Sequence, residues 1–241
     1  MSDPFLKVEE NSLISVIIPT LNEENHINAC LQAARQSYAA DAVEIIVVDG
    51  GSTDATLDNI TPDCTLLQTQ PGRGSQMNTG ARHSNGKVLV FCHGDTRLPD
   101  GWRRAVIEAL NRPGVSGGTF QTRMEPARGI LKWRNSWRMP ADWRFMYGDQ
   151  CQFMRRTTFE AIGGFPEIPL MEDVEMSRAL NRTGRVVRIN LRAVTSSRRL
   201  LEKGILRQTL GNFWRMVRYL YLKTTPEALA ATYRSSREEA E

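Results

Sequence analysis

The sequence of 241 residues predicts an α/β fold, a mostly parallel central sheet with flanking helices and a helical C-terminal tail. Two observations predict it. Short apolar runs rich in β-branched residues alternate with segments of helical periodicity through residues 1–110. Hydrophobic residues form 41% of the chain and charged residues 24%, a balance that supports a buried core and excludes wholesale disorder. With no internal repeat, low-complexity tract or linker, a single domain over residues 1–241 is the economical reading.

Residues 1–12 are polar and read as a frayed lead-in. "LISVIIPT" (13–20) is a buried strand that stops at Pro19. In "LNEENHINACLQAARQS", Ile27, Cys30, Leu31 and Ala34 share one helical face, with Asn22 and acids at the start as cap. "VEIIVVDGGSTD" is a second buried strand ending at Asp49 and a Gly-rich loop, and "ATLDNI" begins a helix with Asp54 near its cap. "CTLLQTQ" is a short third strand, and "GSQMNTGARHSNG" a loop and helix closing at Gly86. "KVLVFCHGDT" is a fourth strand ending in His93, Gly94 and Asp95, and 99–111 is a helix with Pro in its first turn. Ligands of such sheets bind beyond the carboxyl ends of the strands, where Thr20, Asp49 and Asp95 fall.

The second half is less regular. "GVSGGTFQTRM" reads as a strand, and 127–147 as helical and broken near Pro140, with aromatic bulk at Trp133, Trp137, Trp143 and Tyr147. "QCQFMRRTTFEAIGGFP" reads as strand, helix and turn. "LMEDVEMSRALNRTG" opens with acids and ends at Gly184, the pattern of a well-formed helix, and "RVVRINLRAVTSS" is a strand. Residues 200–238 are mostly helical.

The formal charge of +4 suits a partner carrying phosphates without choosing among a nucleotide, an anionic lipid surface and nucleic acid. Four scattered cysteines contain no CxxC pair, and Cys30 and Cys92 sit in apolar surroundings as buried free thiols, which fits a reducing cytoplasm. No signal-peptide pattern is read at the N-terminus, and no run approaches the ~20 apolar residues that span a bilayer. Any action at a membrane is expected from its surface.

Four clusters carry chemistry. Asp49 and Asp54 bracket a Gly-Gly-Ser-Thr loop, where carboxylates accept from a uracil-type base edge or ribose hydroxyls and glycines allow close approach; capping is the equal alternative for Asp54. Asp95, at the tip of a strand, is placed for a hard divalent ion, Mn2+ or Mg2+, bridging a pyrophosphate; His93 either joins it or only hydrogen-bonds. "GRGSQMNTGA" has neither the GxGxxG nor the Walker spacing, but brings Arg73, Gln76 and Asn78 to the same place, Arg73 as a phosphate partner. "MEDVE" sets Glu172 and Asp173 at a helix start, where one acid can deprotonate an acceptor hydroxyl. Glu175 reads as a dipole partner and Asp149 as a turn acid that can orient the acceptor.

"SVIIPTLNEE", "IIVVDGGSTDAT", "GRGSQMNTGA", "FCHGDTRLP", "GDQCQFMRRTTFEAIGGFP" and "PLMEDVEMSRAL" fall in the order of a known family. The chain resembles the family 2 inverting glycosyltransferases of the GT-A fold from about residue 14 to 200, and within them the short bacterial branch named radical-SAM/selenodomain-associated transferase 2. The single domain is expected to divide into a nucleotide-binding half at 1–110, an acceptor and catalytic half at 111–200 and a basic amphipathic helical tail at 201–241. The resemblance implies nucleotide contacts from Pro19, Thr20, Asn22 and Glu23, with Asp49 on the base and Asp54 nearby. Asp95 becomes the metal-binding acid of Asp-x-Asp, and Asp173 the base in a single displacement from a UDP-sugar. His93 replaces the first acid of that pair, and the Gln-x-x-Arg-Trp motif of processive synthases is absent.

Arg192 to Lys223 holds eight Lys or Arg and one acid, Glu202, interleaved with apolar residues. Such a stripe packs on a core with a solvated basic face, or lies on an anionic membrane holding a lipid-linked acceptor. Two rivals share the architecture. A sugar nucleotidyltransferase would want a basic triphosphate loop where "PTLNEEN" is acidic, and a silent nucleotide- or sugar-binding module would not need Asp49, Asp95 and Asp173 together. Nucleic-acid binding has only net charge in its favour.

Overall fold

The computed structural model describes residues 6–36, 42–202 and 204–238. The first five positions of the expected lead-in, the last residue of the first expected helix and residues 203 and 239–241 of the tail lie outside them.

Eight strands form one sheet: β1 (Ile14–Thr20), β2 (Val43–Asp49), β3 (Thr65–Gln68), β4 (Val88–Phe91), β5 (Thr96–Arg97), β6 (Val115–Glu125), β7 (Gln152–Arg155) and β8 (Arg185–Ser196), in the order β3-β2-β1-β4-β7-β6-β8-β5. The pairs β3–β2, β2–β1, β1–β4 and β6–β8 are parallel, whereas β7 runs antiparallel to β4 and β6, and β5 antiparallel to β8.

Both faces are covered, so the central strands are apolar along their length and sort their side chains by alternation. Val16, Ile18, Val47, Val88 and Val90 enter one core with Ile27 and Leu31 of α1 (Ile27–Arg35) and Trp102 and Val106 of α3 (Trp102–Leu110). Ile17, Ile46, Val48, Leu89 and Phe91 enter the other, with Met77 of α2 (Arg73–Arg82), Phe159 of α5 (Arg156–Ile162) and Met176 and Leu180 of α6 (Glu172–Thr183). α2 reaches the sheet because Gly80 carries no side chain; a Cβ there would stand 2.5 Å from Ile17 Cγ2.

Several expected boundaries move. α1 begins at Ile27, and Asn22 caps no helix: it adopts φ +55° in the preceding loop. "ATLDNI" makes only a 3-10 turn at Leu57–Asn59, because Asp54 ties the chain into a turn with Thr56. The helix expected over 99–111 starts at Trp102, after Gly101 at φ +72°. The expected helix over 127–147 shrinks to α4 (Ile130–Arg134) and a 3-10 turn at Trp143–Phe145. The intervening chain is held by Gln121, whose amide pairs with the main-chain N–H and C=O of Met139. The tail is helical as α7 (Arg198–Glu202), α8 (Ile205–Leu220) and α9 (Pro226–Glu238).

The change of direction at β7 positions the site. Because β7 opposes β4, with Gln152 beside Phe91, the chain entering β7 lies next to the chain leaving β4. β8 ends beside β5, with Thr195 opposite Thr96, and Ser196 N–H donates 3.1 Å to the Asp95 carbonyl. Gln152 fastens α6 to this point by donating 2.9 Å to the Asp173 carbonyl and 2.7 Å to Ser177 Oγ.

Candidate active site

Two loops beyond β1 and β2 are stitched together. Asp49, fully buried, accepts from Gly51 N–H (2.8 Å) and Ser52 N–H (2.9 Å) on one oxygen and from Ser52 Oγ (2.5 Å) on the other. Asn22 N–H donates 2.9 Å to Ser52 Oγ, and Asn22 Oδ1 accepts 2.9 Å from Thr53 N–H. Asp54 accepts from Thr56 N–H (3.0 Å) and Glu24 N–H (3.2 Å), while Glu23 N–H donates 2.8 Å to Thr56 Oγ1. The buried Glu23 carboxylate also meets Arg198 of α7 at 3.4 Å.

Thr20 is buried with its Oγ1 unpartnered, and Pro19 precedes it in β1. Gln76 donates to the carbonyls of Thr20 (2.9 Å) and Val48 (2.7 Å), clamping the ends of β1 and β2. Asn78 pairs with the Phe165 main chain, donating 2.9 Å to its carbonyl and accepting 2.8 Å from its N–H. Both amides are thus engaged with backbone, a framework use that their positions in the sequence did not disclose.

The second group is ionic. Asp173 is half-buried, its Oδ2 accepting 2.8 Å from Gly148 N–H and its Oδ1 2.8 Å from Val174 N–H. Gly148 sits between two of the expected residues: a Cβ there would stand 2.7 Å from His93 Nε2 and 3.5 Å from Asp173 Oδ2. Asp149 retains some exposed surface, but its Oδ1 is inaccessible and without a hydrogen bond. Burial pushes its carboxyl up to about 6; Asp173 and Asp95 push the same way, against Arg134 and Arg188. Burial, then Asp149 and Asp173, raise Tyr147 to about 12. Asp95 accepts 3.2 Å from Thr96 Oγ1.

Glu172 is buried beneath this group. Arg73 Nε lies 2.7 Å from its Oε1, at ion-pair distance but off the angle of a linear hydrogen bond. Burial raises Glu172 to about 7, with Arg73 opposing and Asp173 adding to the rise. Glu175 faces elsewhere and accepts from Arg178 (2.7 Å) and Tyr219 Oη (2.7 Å).

The structure therefore gathers His93, Asp95, Asp149, Glu172 and Asp173 with Arg73, next to the stitched loops. Gly94 joins the halves, since a Cβ on it would meet Thr20 Oγ1 at 3.0 Å. Among the described residues no group of three or more His, Cys, Asp or Glu gathers at metal-holding spacing.

Sequence reasoning missed Arg188. It donates to Gln150 Oε1 (2.7 Å) and to the carbonyls of Phe145 (2.7 Å) and Pro140 (3.0 Å), fixing the loop that carries Asp149; burial lowers it to about 10. The available signal was a cation inside the strand "RVVRINL". Gly148, Gln152 and Arg198 were also missed, because their roles depend on the neighbouring strand and helix.

Residues 15–165 match the family model for glycosyl transferase family 2. The chain belongs to that family. Among curated relatives of this family 2 chain, glycosyltransferase AglE of Haloferax volcanii is 33% identical over 121 residues, 45% of this chain and 39% of AglE. The probable glycosyltransferase YdaM of Bacillus subtilis is 26% identical over 214 residues, 78% of this chain and 51% of YdaM. The alignments thus span about half or less of these relatives.

Two solved structures share the GT-A architecture. S. aureus TarS 1–349 superposes with a TM-score of 0.63 at 18% identity, covering 88% of this chain and 73% of TarS 1–349. The mannosyltransferase PcManGT from Pyrobaculum calidifontis, in complex with GDP-Man and Mn2+, gives 0.60 at 20% identity, covering 99% and 76%.

Proposed function

We propose that this family 2 chain transfers a sugar from a nucleoside diphosphate donor, a UDP-sugar by preference, to an acceptor hydroxyl with inversion at the anomeric carbon. The observation that carries the reading is the gathering of Asp95, Asp149 and Asp173 at the carboxyl ends of the strands, beside the loops stitched by Asp49 and Asn22. TarS crystallised with UDP and with UDP-GlcNAc, and PcManGT with GDP-Man, so both nucleotide types occur among structural neighbours.

In this reading the loops after β1 and β2, with Pro19, Thr20, Asn22, Glu23, Asp49 and Asp54, form the nucleotide side, where the unpartnered Thr20 Oγ1 supports a ligand contact. Asp173 is the base. Two backbone N–H groups fix its carboxylate while it stays half-open to the acceptor. It takes the hydroxyl proton as the acceptor oxygen bonds to the anomeric carbon and the bond from that carbon to the diphosphate breaks. Glu172, buried against Arg73, is a positioning residue that aims this cation at the departing phosphates. Asp149 borders the acceptor side.

Support for a divalent cation, Mn2+ or Mg2+, is the crowding that helps push Asp149 up to about 6 and leaves its Oδ1 without a partner, in a setting where no three ligating side chains gather among the described residues. Asp95 and His93 would hold it, and when bound it supplies charge neutralisation to the leaving diphosphate. A lipid-linked acceptor, met at the inner face of a membrane from the cytoplasm, goes with this reading.

Calorimetric titration with UDP and GDP, in Mn2+, Mg2+ or EDTA, tests it. Metal-dependent UDP binding that Asp95→Ala abolishes is expected. Binding of neither nucleotide under any condition returns the chain to a silent module of the same fold.

A further inference from the structure

α8 has two faces of opposite character. Met216, Tyr219 and Leu220 pack inward around Met171 and Val174 at the start of α6, and Tyr219 Oη donates 2.7 Å to Glu175 Oε1. On the other side Leu210, Phe213 and Trp214 are 65%, 65% and 56% exposed. At roughly 100° per residue these three positions fall on one stripe, which the exposed Tyr221 extends by two further turns. Leu222 is exposed beside it. Large apolar side chains left together in water mark an interaction surface.

Charge says which surface covers them. Arg207 and Arg218 fall beside the stripe at helical spacing, Lys223 follows the end of the helix, and the chain has no acid between Glu202 and Glu227. The core of a protein–protein patch is depleted in charge, and a second copy of this chain would bring the same cations to a shared interface. A helix lying in a bilayer interface has the arrangement seen here: aromatic and leucine side chains on one stripe, with Lys and Arg bordering it. Among the described residues no helix is long and apolar enough to cross a membrane, so this geometry is that of in-plane contact.

We propose that the outer face of α8, centred on Leu210, Phe213 and Trp214, docks the protein on an anionic lipid bilayer. The inner face of the same helix rests on the turn that carries Glu172 and Asp173, so docking sets the catalytic helix start beside the lipid surface. In that respect the inference deepens the transfer reading by naming where a lipid-linked acceptor is met. Its test is independent of that reading, because vesicle binding is measured without donor, acceptor or metal.

The full chain is floated with vesicles of phosphatidylcholine alone and of equal parts phosphatidylcholine and phosphatidylglycerol, with Trp fluorescence followed in parallel. Flotation with the anionic vesicles only, weakened by salt and accompanied by a blue shift, is expected. Phe213→Ser with Trp214→Ser should weaken partitioning roughly a hundredfold, and Arg218→Glu with Lys223→Glu roughly tenfold or more. Both pairs are on the surface, so an unchanged thermal transition shows that folding is intact. Absence of flotation, equal flotation of the Ser variant, or a stable dimer that the Ser variant dissolves would overturn the proposal.

Discussion

β2 ends on an aspartate and the chain leaving β4 reaches another, Asp95, and the surroundings of the two are opposite. Asp49 is fully buried, yet three donors from its own loop satisfy both oxygens. Beyond β4, two backbone N–H groups hold Asp173 and Thr96 Oγ1 donates to Asp95, but Asp149 Oδ1 has no hydrogen bond, and neither oxygen of the buried Glu172 has a well-angled one. A carboxylate with its donors in place makes a rigid wall. Carboxylates crowded without donors hold free energy that a cation, a phosphate partner or a transferred proton releases. The first region is therefore read as a preformed cradle and the second as the reacting centre.

The largest test of that contrast is Asp173→Asn. It preserves shape but removes the proposed base, and its single amide oxygen can accept from only one of the two N–H groups that hold the carboxylate, so turnover should fall by roughly 10²–10⁴ while UDP affinity stays near wild type. Equal loss of turnover and nucleotide binding would place Asp173 in the cradle instead.

Gly148→Ala probes the spacing within the reacting centre. Its Cβ would meet His93 Nε2 at 2.7 Å and displace the N–H that orients Asp173, costing about 10²-fold in kcat. An active Ala variant with unchanged kcat would show that this spacing is not critical.

Asp49→Ala attacks the cradle. Removing the acceptor of three hydrogen bonds should lower stability by about 1–3 kcal/mol in a denaturant titration and weaken UDP. An unchanged midpoint would mean that the loop is held by other contacts.

The last test is of stability against pH. Glu172 is raised from 4.5 to about 7 and Asp149 from 3.8 to about 6, both chiefly by burial. The native state therefore keeps protons that the unfolded chain has released. The associated stability is complete below about pH 4 and is lost as pH climbs towards about 7. Glu172→Gln should flatten that slope. A melting temperature independent of pH across this window would contradict the crowding.

How much of this was legible in the sequence follows the same division. Asp49 and Asp95 could be found by reading to the end of an apolar run, and α6 by acids at its start and Gly184 at its end. Asp54 was legible only as an alternative between cap and ligand, and the structure shows it binding the backbone of Thr56 and Glu24. Gln76 and Asn78 were read towards the site, but their amides hold main chain, a use set by partners 28 and 87 residues away. The irregular span 127–147 misled periodicity because Gln121 and Arg188, on two different strands, hold its backbone.

By itself the sequence determined the α/β class, the strands of the parallel half, the family order of motifs and the acids at two strand ends. Those features depend on local alternation, β-branched composition and turn chemistry, which act over a few residues. Only the tertiary structure decided that β7 runs against β4. That reversal brings Asp149 and Gly148 alongside His93, and through Gln152 draws Asp173 to the same point. Strand direction is a property of pairing across the whole sheet, and charge crowding depends on distances between segments far apart in the chain. Neither is written in any one stretch of residues.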